Sequence, residues 1–447
     1  MHAYCNIEWP PTAMPTRTPP RRASVTAYLS SRVRFGIKFG LETMRALCEE
    51  LQHPERAFPT LLVAGTNGKG SVVAYADAAL RASGLAVGRY TSPHLVRVNE
   101  RIAVGGRDVS ATEFAAAVER VRRAAARLVR ARTIPAHPTY FEVLTAAALD
   151  HFRRAQVDVA VLEVGMGGRL DATNVAEPIA SAIVSVEKDH EAYLGSTLGA
   201  IAHEKAGVLR AGRTTVLGPL PPEARAAVAG EALAAGARLL DAGDGVSVKE
   251  GSDGLEIRTP SIVHRGVRTL PGAHQRDNAL VALRLLEEAH AAGLAVELGA
   301  AAAAFGATRW PGRLERVVAR GGPPLLLDGA HNPAAARALA AYLAGEPPFV
   351  LLFGVMADKD VEAMSHILFP LARAVVLTRA PSDRAAAPEE IARRAGPAAR
   401  GAAAEPDPRR ALALAERLAP PGGQVVVAGS LYLVGEVTRI LRTARRA

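Results

Sequence analysis

The stretch Leu61-Leu-Val-Ala-Gly-Thr-Asn-Gly-Lys-Gly-Ser71 holds the residues best suited to chemistry. An apolar run enters a glycine-rich turn, and a helix is expected from Ser71 to Ser83. Glycines let backbone N–H groups converge on phosphate oxygens, and the helix start adds the positive end of its dipole. Lys69 adds a compact cation. The spelling departs from the common G-x-x-x-x-G-K-[ST] form, because the loop is shorter and Gly70 separates Lys69 from Ser71.

Further polar groups follow buried-looking strands. Val159-Ala-Val-Leu-Glu-Val164 ends in a carboxylate and runs into Gly165-Met-Gly-Gly-Arg-Leu-Asp-Ala-Thr-Asn174. A lone Glu at a strand end is usually a surface residue, but in a phosphate-loop domain a carboxylate on a second strand reaches Mg2+. Glu163 is therefore a candidate magnesium ligand. The glycines after it free backbone for a substrate, and Arg169 and Asp171 could read polar groups there. A third strand, Ala180–Val186, ends in Glu187-Lys-Asp-His190, making His190 a candidate second-metal ligand. Three strands delivering polar groups at their C-terminal ends favour one common crevice. Ala202, Ala206 and Gly207 would let the helix Leu198–Arg210 pack closely and bring Lys205 to that crevice. The plainer reading is a surface lysine paired with Glu204 or Glu191. In Leu325-Leu-Leu-Asp-Gly-Ala-His-Asn-Pro333, a strand meets a polar turn and a proline at the first helical position. Asp328 and His331 sit at that turn, and Arg313 of Trp310-Pro-Gly-Arg313 could reach phosphates from a domain junction.

The elements that must position these groups alternate between strand and helix, the pattern of a parallel sheet covered by helices. Strands are expected at Leu61–Ala64, Val157–Val164, Ile179–Val186, Thr214–Leu217, Leu325–Asp328, Phe349–Phe353, Ala374–Thr378 and Gln424–Ala428. Helices are expected at Tyr140–Arg154, Gln275–Ala292, Pro333–Ala344 and Leu431–Arg442, with a hairpin in Gly245–Pro260. A helix Val296–Phe305 ends at Gly306, and a new alternation starts at Leu314. The expected fold class is α/β, with a P-loop NTPase-like N-terminal domain of mainly parallel sheet (29–307) and a smaller Rossmann-like α/β C-terminal domain (308–447). Residues 1–28, rich in Pro, Thr and Arg, read as a disordered lead-in without the apolar segment of a secretory signal.

With 447 residues the chain is too long for one core, and 49% hydrophobic with 22% charged residues suits an ordinary soluble protein. No apolar run reaches the roughly 18 residues of a membrane span. Two cysteines, Cys5 and Cys48, provide neither a disulfide framework nor a metal cluster, which favours a reducing cytoplasm. The net charge of +10 comes from arginines spread through Ala/Arg-rich helices, with aromatics at only 4%, so a solvated basic surface is expected rather than nucleic-acid binding. Lysines number six among 54 basic residues, and three of them, Lys69, Lys205 and Lys359, lie in motif-like blocks. A lysine where arginine is the default hints at a need for an amine.

Together the blocks resemble the Mur-ligase superfamily of ATP-dependent amide-bond ligases, and within it the folylpolyglutamate synthase/dihydrofolate synthase family. The matching segments are Gly65–Ser71, Thr91-Ser-Pro-His-Leu95 with Asn99-Glu-Arg-Ile102, Thr139-Tyr-Phe-Glu142, and Glu163–Asn174. Asp189-His190, Glu204-Lys-Ala-Gly207, Pro311-Gly-Arg313, Asp328–Pro333 and Asp358-Lys-Asp360 complete the set, in family order from about residue 33 to 437.

The resemblance implies ATP phosphates at Thr66, Asn67, Gly68, Lys69 and Gly70, with Asn278, Arg313 and Asp328 at further ATP-contacting positions. Magnesium, at two sites with K+ as an option, would be held by Ser92, Glu163 and His190. Ser71 is a further ligand, and Lys205 another once carbamylated. Thr139, Tyr140, Phe141, Glu142, Leu170, Asp171 and Ala172 match pterin-substrate segments, and His331 and Ser430 match positions near the incoming glutamate. Lys69, Lys205 and His331 are the expected catalytic residues. The implied activity joins L-glutamate to dihydropteroate, to tetrahydrofolate or to both, in a monomeric cytoplasmic enzyme whose partners are small molecules, not nucleic acid or membrane. Two rivals are a regulatory P-loop NTPase and a sister ligase acting on cell-wall precursors. The Asp-Gly-Ala-His-Asn-Pro block argues against the first, and the Thr-Tyr-Phe-Glu segment against the second.

Overall fold

Continuous runs of Val, Leu, Ile and Ala form strands here because both faces of their sheets are covered. The computed structural model describes residues 25–33, 40–318 and 322–444. Eight strands make the first sheet: β1 Thr60–Ala64, β2 Val87–Tyr90, β3 Ile102–Val104, β4 Arg107–Asp108, β5 Val159–Glu163, β6 Pro178–Ile183, β7 Thr214–Leu217 and β8 Arg238–Asp241. Their spatial order is β4-β3-β2-β5-β1-β6-β7-β8, and every pairing from β2 to β8 is parallel. Side chains of β1 alternate between two cores. Leu62 and Ala64 join one, and Leu61 and Val63 join the other. All four are fully buried, and each leucine contributes roughly 1.5–3 kcal/mol by leaving water.

A small antiparallel sheet follows, with β9 Ser247–Gly251, β10 Gly254–Arg258 and β11 Val263–Val267. The hairpin expected in Gly245–Pro260 is β9–β10, and β11 is its unforeseen third strand. The third sheet contains β12 Glu315–Val318, β13 Pro324–Leu327, β14 Phe349–Phe353, β15 Ala374–Leu377, β16 Ala403–Ala404 and β17 Gln424–Ala428. Its order is β12-β13-β17-β14-β15-β16, parallel except at β12–β13. It has its own pair of cores, one on Val426 and Ala428, the other on Val425 and Val427. The junction expected near Gly306–Pro311 lies in the connection from the helix Leu298–Ala307 to β12.

The α/β class matches expectation, and several boundaries move for identifiable reasons. β6 stops at Ile183, not Val186, because the next backbone turns to serve the glycine loop, where Thr66 N donates to Ser185 O at 2.9 Å. The helix after the loop begins at Lys69, before Ser71. The helix expected over Leu198–Arg210 is α-helical to Lys205 and tightens to 3-10 over Ala206–Val208. Residues 1–24 of the expected lead-in lie outside the described residues, but 25–28 are part of a helix, Val25–Val33, whose Leu29 is buried in the first core.

The Ala/Arg-rich helices also owe their arginines to more than solvation. Asp150 is completely buried and gathers Arg120, Arg153 and Arg154 at 2.5, 3.0 and 3.1 Å. Among the described residues no helix is long and apolar enough to cross a membrane.

Close approach decides one glycine. A Cβ on Gly207 would lie 2.1 Å from the Arg169 Cα and 2.5 Å from its amide nitrogen, so the turn 165–169 and the end of the helix Leu198–Lys205 fit only with glycine there. Gly207→Ala should destabilise the protein by about 1–3 kcal/mol as overpacking against backbone. Gly230→Ala, in the helix Pro222–Ala235 with open space around it, should stabilise by roughly 0.5–1 kcal/mol. Chemical denaturation distinguishes the two, and equal midpoints would contradict the packing argument.

Candidate active site

Strand register gathers the first groups. β1 lies between β5 and β6, with Val63 opposite Glu163 and Ala64 opposite Ile183, so the glycine loop, Glu163 and the segment 184–190 leave the sheet side by side. The loop turns at Gly65 and Gly68, whose φ angles of 152° and 82° suit glycine. Ser185, which the sequence reading did not single out, clamps it. Its Oγ accepts from Asn67 N at 2.9 Å and donates to Asn67 O at 3.0 Å. Thr66 Oγ1 accepts from Glu187 N at 3.1 Å. Gly68 caps the helix Lys69–Ala82 with no side-chain acceptor, so its first-turn N–H groups face the cavity in need of one. An anion such as a nucleotide phosphate fits that need.

A cavity of about 340 Å3 opens at this loop. Thr66 through Ser71, Ser92, Glu163, His190, Lys205, Asn278, Arg313, Asp328 and His331 all line it. The sequence-derived ATP and metal residues from both domains are thus one group in space. Lys69 Nζ donates to Gly65 O at 2.8 Å and Thr66 O at 3.1 Å, folding back over its own loop. Glu163 accepts from Ser92 N at 3.0 Å. Burial pushes the Lys69 amine down and the Glu163 carboxyl up, while each one's charge opposes the other's shift. Ser71 Oγ accepts from Gln275, which in turn accepts from Asn278 at 3.0 Å. Asp328 accepts from Leu314 N and Ala330 N, tying the segment that carries Arg313 to the turn after β13.

Among the described residues no three His, Cys, Asp or Glu side chains form a ready metal cage. The expected set of Ser92, Glu163 and His190 contains only two such residues, leaving room for phosphate oxygens and water. Burial lowers the His190 imidazole to about 4, so it is neutral near pH 7 and able to donate a lone pair. A neutral imidazole beside a buried carboxylate fits a divalent cation.

Next to this site is a second cavity of about 370 Å3, lined by Thr139, Phe141, Glu142, Leu170, Asp171, Ala172, His331 and Ser430. The two cavities share Ser92, Gly165, Gly167, His190 and His331 as walls. Several expected substrate contacts serve the wall's own architecture. Thr139 and Glu142 cap the helix Tyr140–Arg154 reciprocally. Asp171 accepts from Gly165 N, Met166 N and Thr173 N, each at 3.0 Å, and so shapes the glycine turn. Two readings need correction. Tyr140 does not line the cavity; its ring carries the Arg101 guanidinium, 5.5 Å from the centroid, and Arg101 does line it. Arg169 lies outside the lining of both cavities, paired with Glu231 at 2.6 Å.

The second domain closes over the first through direct contacts. Asn67 and Asn332 exchange amide hydrogen bonds at 3.3 and 2.9 Å. Lys359 forms an ion pair with Asp189, whose other oxygen lies 3.6 Å from His331 Nε2. Burial would raise the Asp189 carboxyl, but His331, His190 and Lys359 outweigh it and hold the group well below the carboxylate range.

Comparison with known proteins agrees with this arrangement. The profile of the Mur ligase, glutamate ligase domain matches residues 312–431. The dihydrofolate synthase/folylpolyglutamate synthase of Bacillus subtilis (strain 168) is 32% identical over 432 residues, covering 93% of this chain and 98% of that protein. The chain belongs to this family of ligases. E. coli FolC in complex with DHPP and ADP superposes with a TM-score of 0.85 at 29% identity, covering 96% of this chain and all of that one. A bifunctional folylpolyglutamate synthase/dihydrofolate synthase with Mn, AMPPNP and L-glutamate bound gives 0.83 at 30% identity, covering 95% and 100%.

In this ligase, Ser185, Gln275, Arg101, Asn332 and Lys359 escaped a functional reading of the sequence, although the scarcity of lysine already marked Lys359. Lys205 is not the surface lysine of the plainer reading. It is buried, and desolvation, then the nearby Lys69, lower its amine to about 7. An unfolded lysine titrates near 10.4, so below pH 7 the folded state bears the full cost of a charged buried amine, roughly 5 kcal/mol. That cost fades as pH rises from about 7 towards 10, where the folded form has shed its proton and the unfolded form has not. Lys205→Met should therefore be more stable than wild type at pH 6 in bicarbonate-free buffer, with the advantage shrinking towards pH 10. Denaturant titrations at both pH values check this, and a pH-independent difference would refute it.

Proposed function

We propose that this chain carries out its family's reaction, ATP-dependent ligation of L-glutamate to a folate-type carboxylate, where its two cavities meet. The shared wall carries the assignment. A carboxylate extending from a pterin-type ligand in the larger cavity would approach a nucleotide γ-phosphate held at the glycine loop. One carboxylate oxygen attacks phosphorus while the bond to the ADP oxygen breaks, giving an acyl phosphate. The glutamate amine then attacks the activated carbonyl, and phosphate leaves as the amide forms.

The chain's own residues orient and neutralise. Free N–H groups of the first helical turn and Lys69 would hold the phosphates, with Asn278, Arg313 and Asp328 closing around the nucleotide. Ser92, Glu163 and His190, with Ser71 as an additional donor, would hold Mg2+, which supplies charge neutralisation on the phosphoryl oxygens when bound. A second Mg2+ falls to His190 and Lys205, and K+ is a third candidate ion. Lys205 with an amine near 7 is largely uncharged at pH 8, the form that reacts with carbon dioxide to give a carboxylate-like carbamate. His331 donates from Nδ1 to Gly329 O at 2.7 Å and keeps Nε2 3.6 Å from Asp189, contacts that would orient the ring towards the incoming glutamate. Ser430, beside it in the larger cavity, suits the glutamate. Contacts such as Asn67–Asn332 would keep water from the acyl phosphate. A monomer acting on these small molecules in the cytoplasm completes the reading.

The test offers purified protein ATP, Mg2+ and labelled glutamate with dihydropteroate and tetrahydrofolate in separate reactions. Label should enter one or both products, and none with either acceptor would sink the assignment. Lys205→Ala should lose activity on the order of 10²-fold, as for removal of a group that stabilises the transition state. Wild-type turnover should fall when bicarbonate is stripped from the buffer. A fully active Lys205→Ala would remove Lys205 from the metal site.

A further inference from the structure

Gly70, the residue that makes the loop's spelling irregular, has no conformational reason to be glycine. It belongs to the helix Lys69–Ala82 and is absent from the positions with positive φ. Alanine is the better helix former there. What excludes a side chain is Trp310. A Cβ on Gly70 would lie 2.8 Å from the indole Nε1 and 3.2 Å from Cε2 and Cζ2. The indole has no easy retreat. The Arg89 guanidinium carbon lies 5.2 Å from its centroid, and Arg89 is held by Asp77 and Asp108, each at 3.5 Å. Asp77 is buried, binds Arg81 at 3.1 Å, and lies two turns beyond Gly70 on the same helix. The contacts form a closed ring from Gly70 to Trp310, Arg89, Asp77 and back along the helix. Trp310 itself precedes Arg313, a wall of the phosphate cavity, by three residues.

We propose that Gly70 is a socket for Trp310, and that this seated indole is a positioning device coupling the inter-domain connection to the nucleotide loop. It holds the first helical turn, with Lys69 and Ser71, in register with Arg313. Trp310 acts through Gly70 and touches no reacting atom. The inference rests on the reading of the loop as an ATP site and adds a specific determinant of ATP affinity to it.

A double-mutant cycle tests it. Gly70→Ala and Trp310→Ala should each raise the KM for ATP by roughly tenfold, and the double variant should resemble Trp310→Ala instead of multiplying the two effects. The KM for glutamate should move less than about twofold, and Trp310→Phe should fall between wild type and Trp310→Ala. With only two tryptophans in the chain, a Trp9→Phe background isolates the emission of Trp310, which should change when ATP is titrated in. Multiplicative effects, equal rises in KM for every substrate, or emission unmoved by ATP would each overturn the proposal. Failure of wild-type protein to incorporate glutamate would fail the functional reading instead, so the two are separable.

Discussion

Charge placed where water is scarce is the constraint on which the rest of this molecule depends. Glu163, Lys205, Asp189, Asp328 and Lys359 are all buried or nearly so, and most lie within one inter-domain cleft. Desolvated ions cost free energy unless partners compensate, and here the compensation is incomplete within the chain. Lys205 drifts towards neutrality, and Glu163 is pushed towards the acid form. A polyanion with its cation would complete the balance. The scaffold can bear the cost because two mainly parallel sheets, their central strands buried on both faces, fix the strand ends from which these groups emerge.

Much of this was legible in the sequence because local rules and global fold agree. Apolar runs such as Val159–Glu163 and Gln424–Ala428 have both the length and the residue types of buried parallel strands, and they appear as such. Thr139 and Glu142 carry a capping pattern that starts a helix at Tyr140, where it was expected. Glu163, His190 and Asp328 stood out because strand ends are where α/β sheets place their ligands, and the three line one cavity.

What remained hidden is what only tertiary contact decides. Nothing in the local sequence says that Tyr140 supports Arg101 and does not itself face the cavity, or that Glu231 captures Arg169 from a helix 62 residues away. The early end of β6 depends on a loop more than a hundred residues earlier, which takes Ser185 as its partner. Asn332 reads as an ordinary helix cap and also pairs with Asn67 across the domains. Short strands such as β3 and β4 have too few residues for a periodicity to register.

The partition between the two cavities has a thermodynamic consequence. Ser92, His190 and His331 belong to both, so neither ligand can be bound without altering the field and mobility of groups that greet the other. Such coupling is reciprocal in binding free energy. If the nucleotide raises affinity for the carboxylate acceptor, the acceptor must raise affinity for the nucleotide by the same factor. Synergy between the two ligands then becomes a property inherited from a shared wall, with no separate gate needed to produce it.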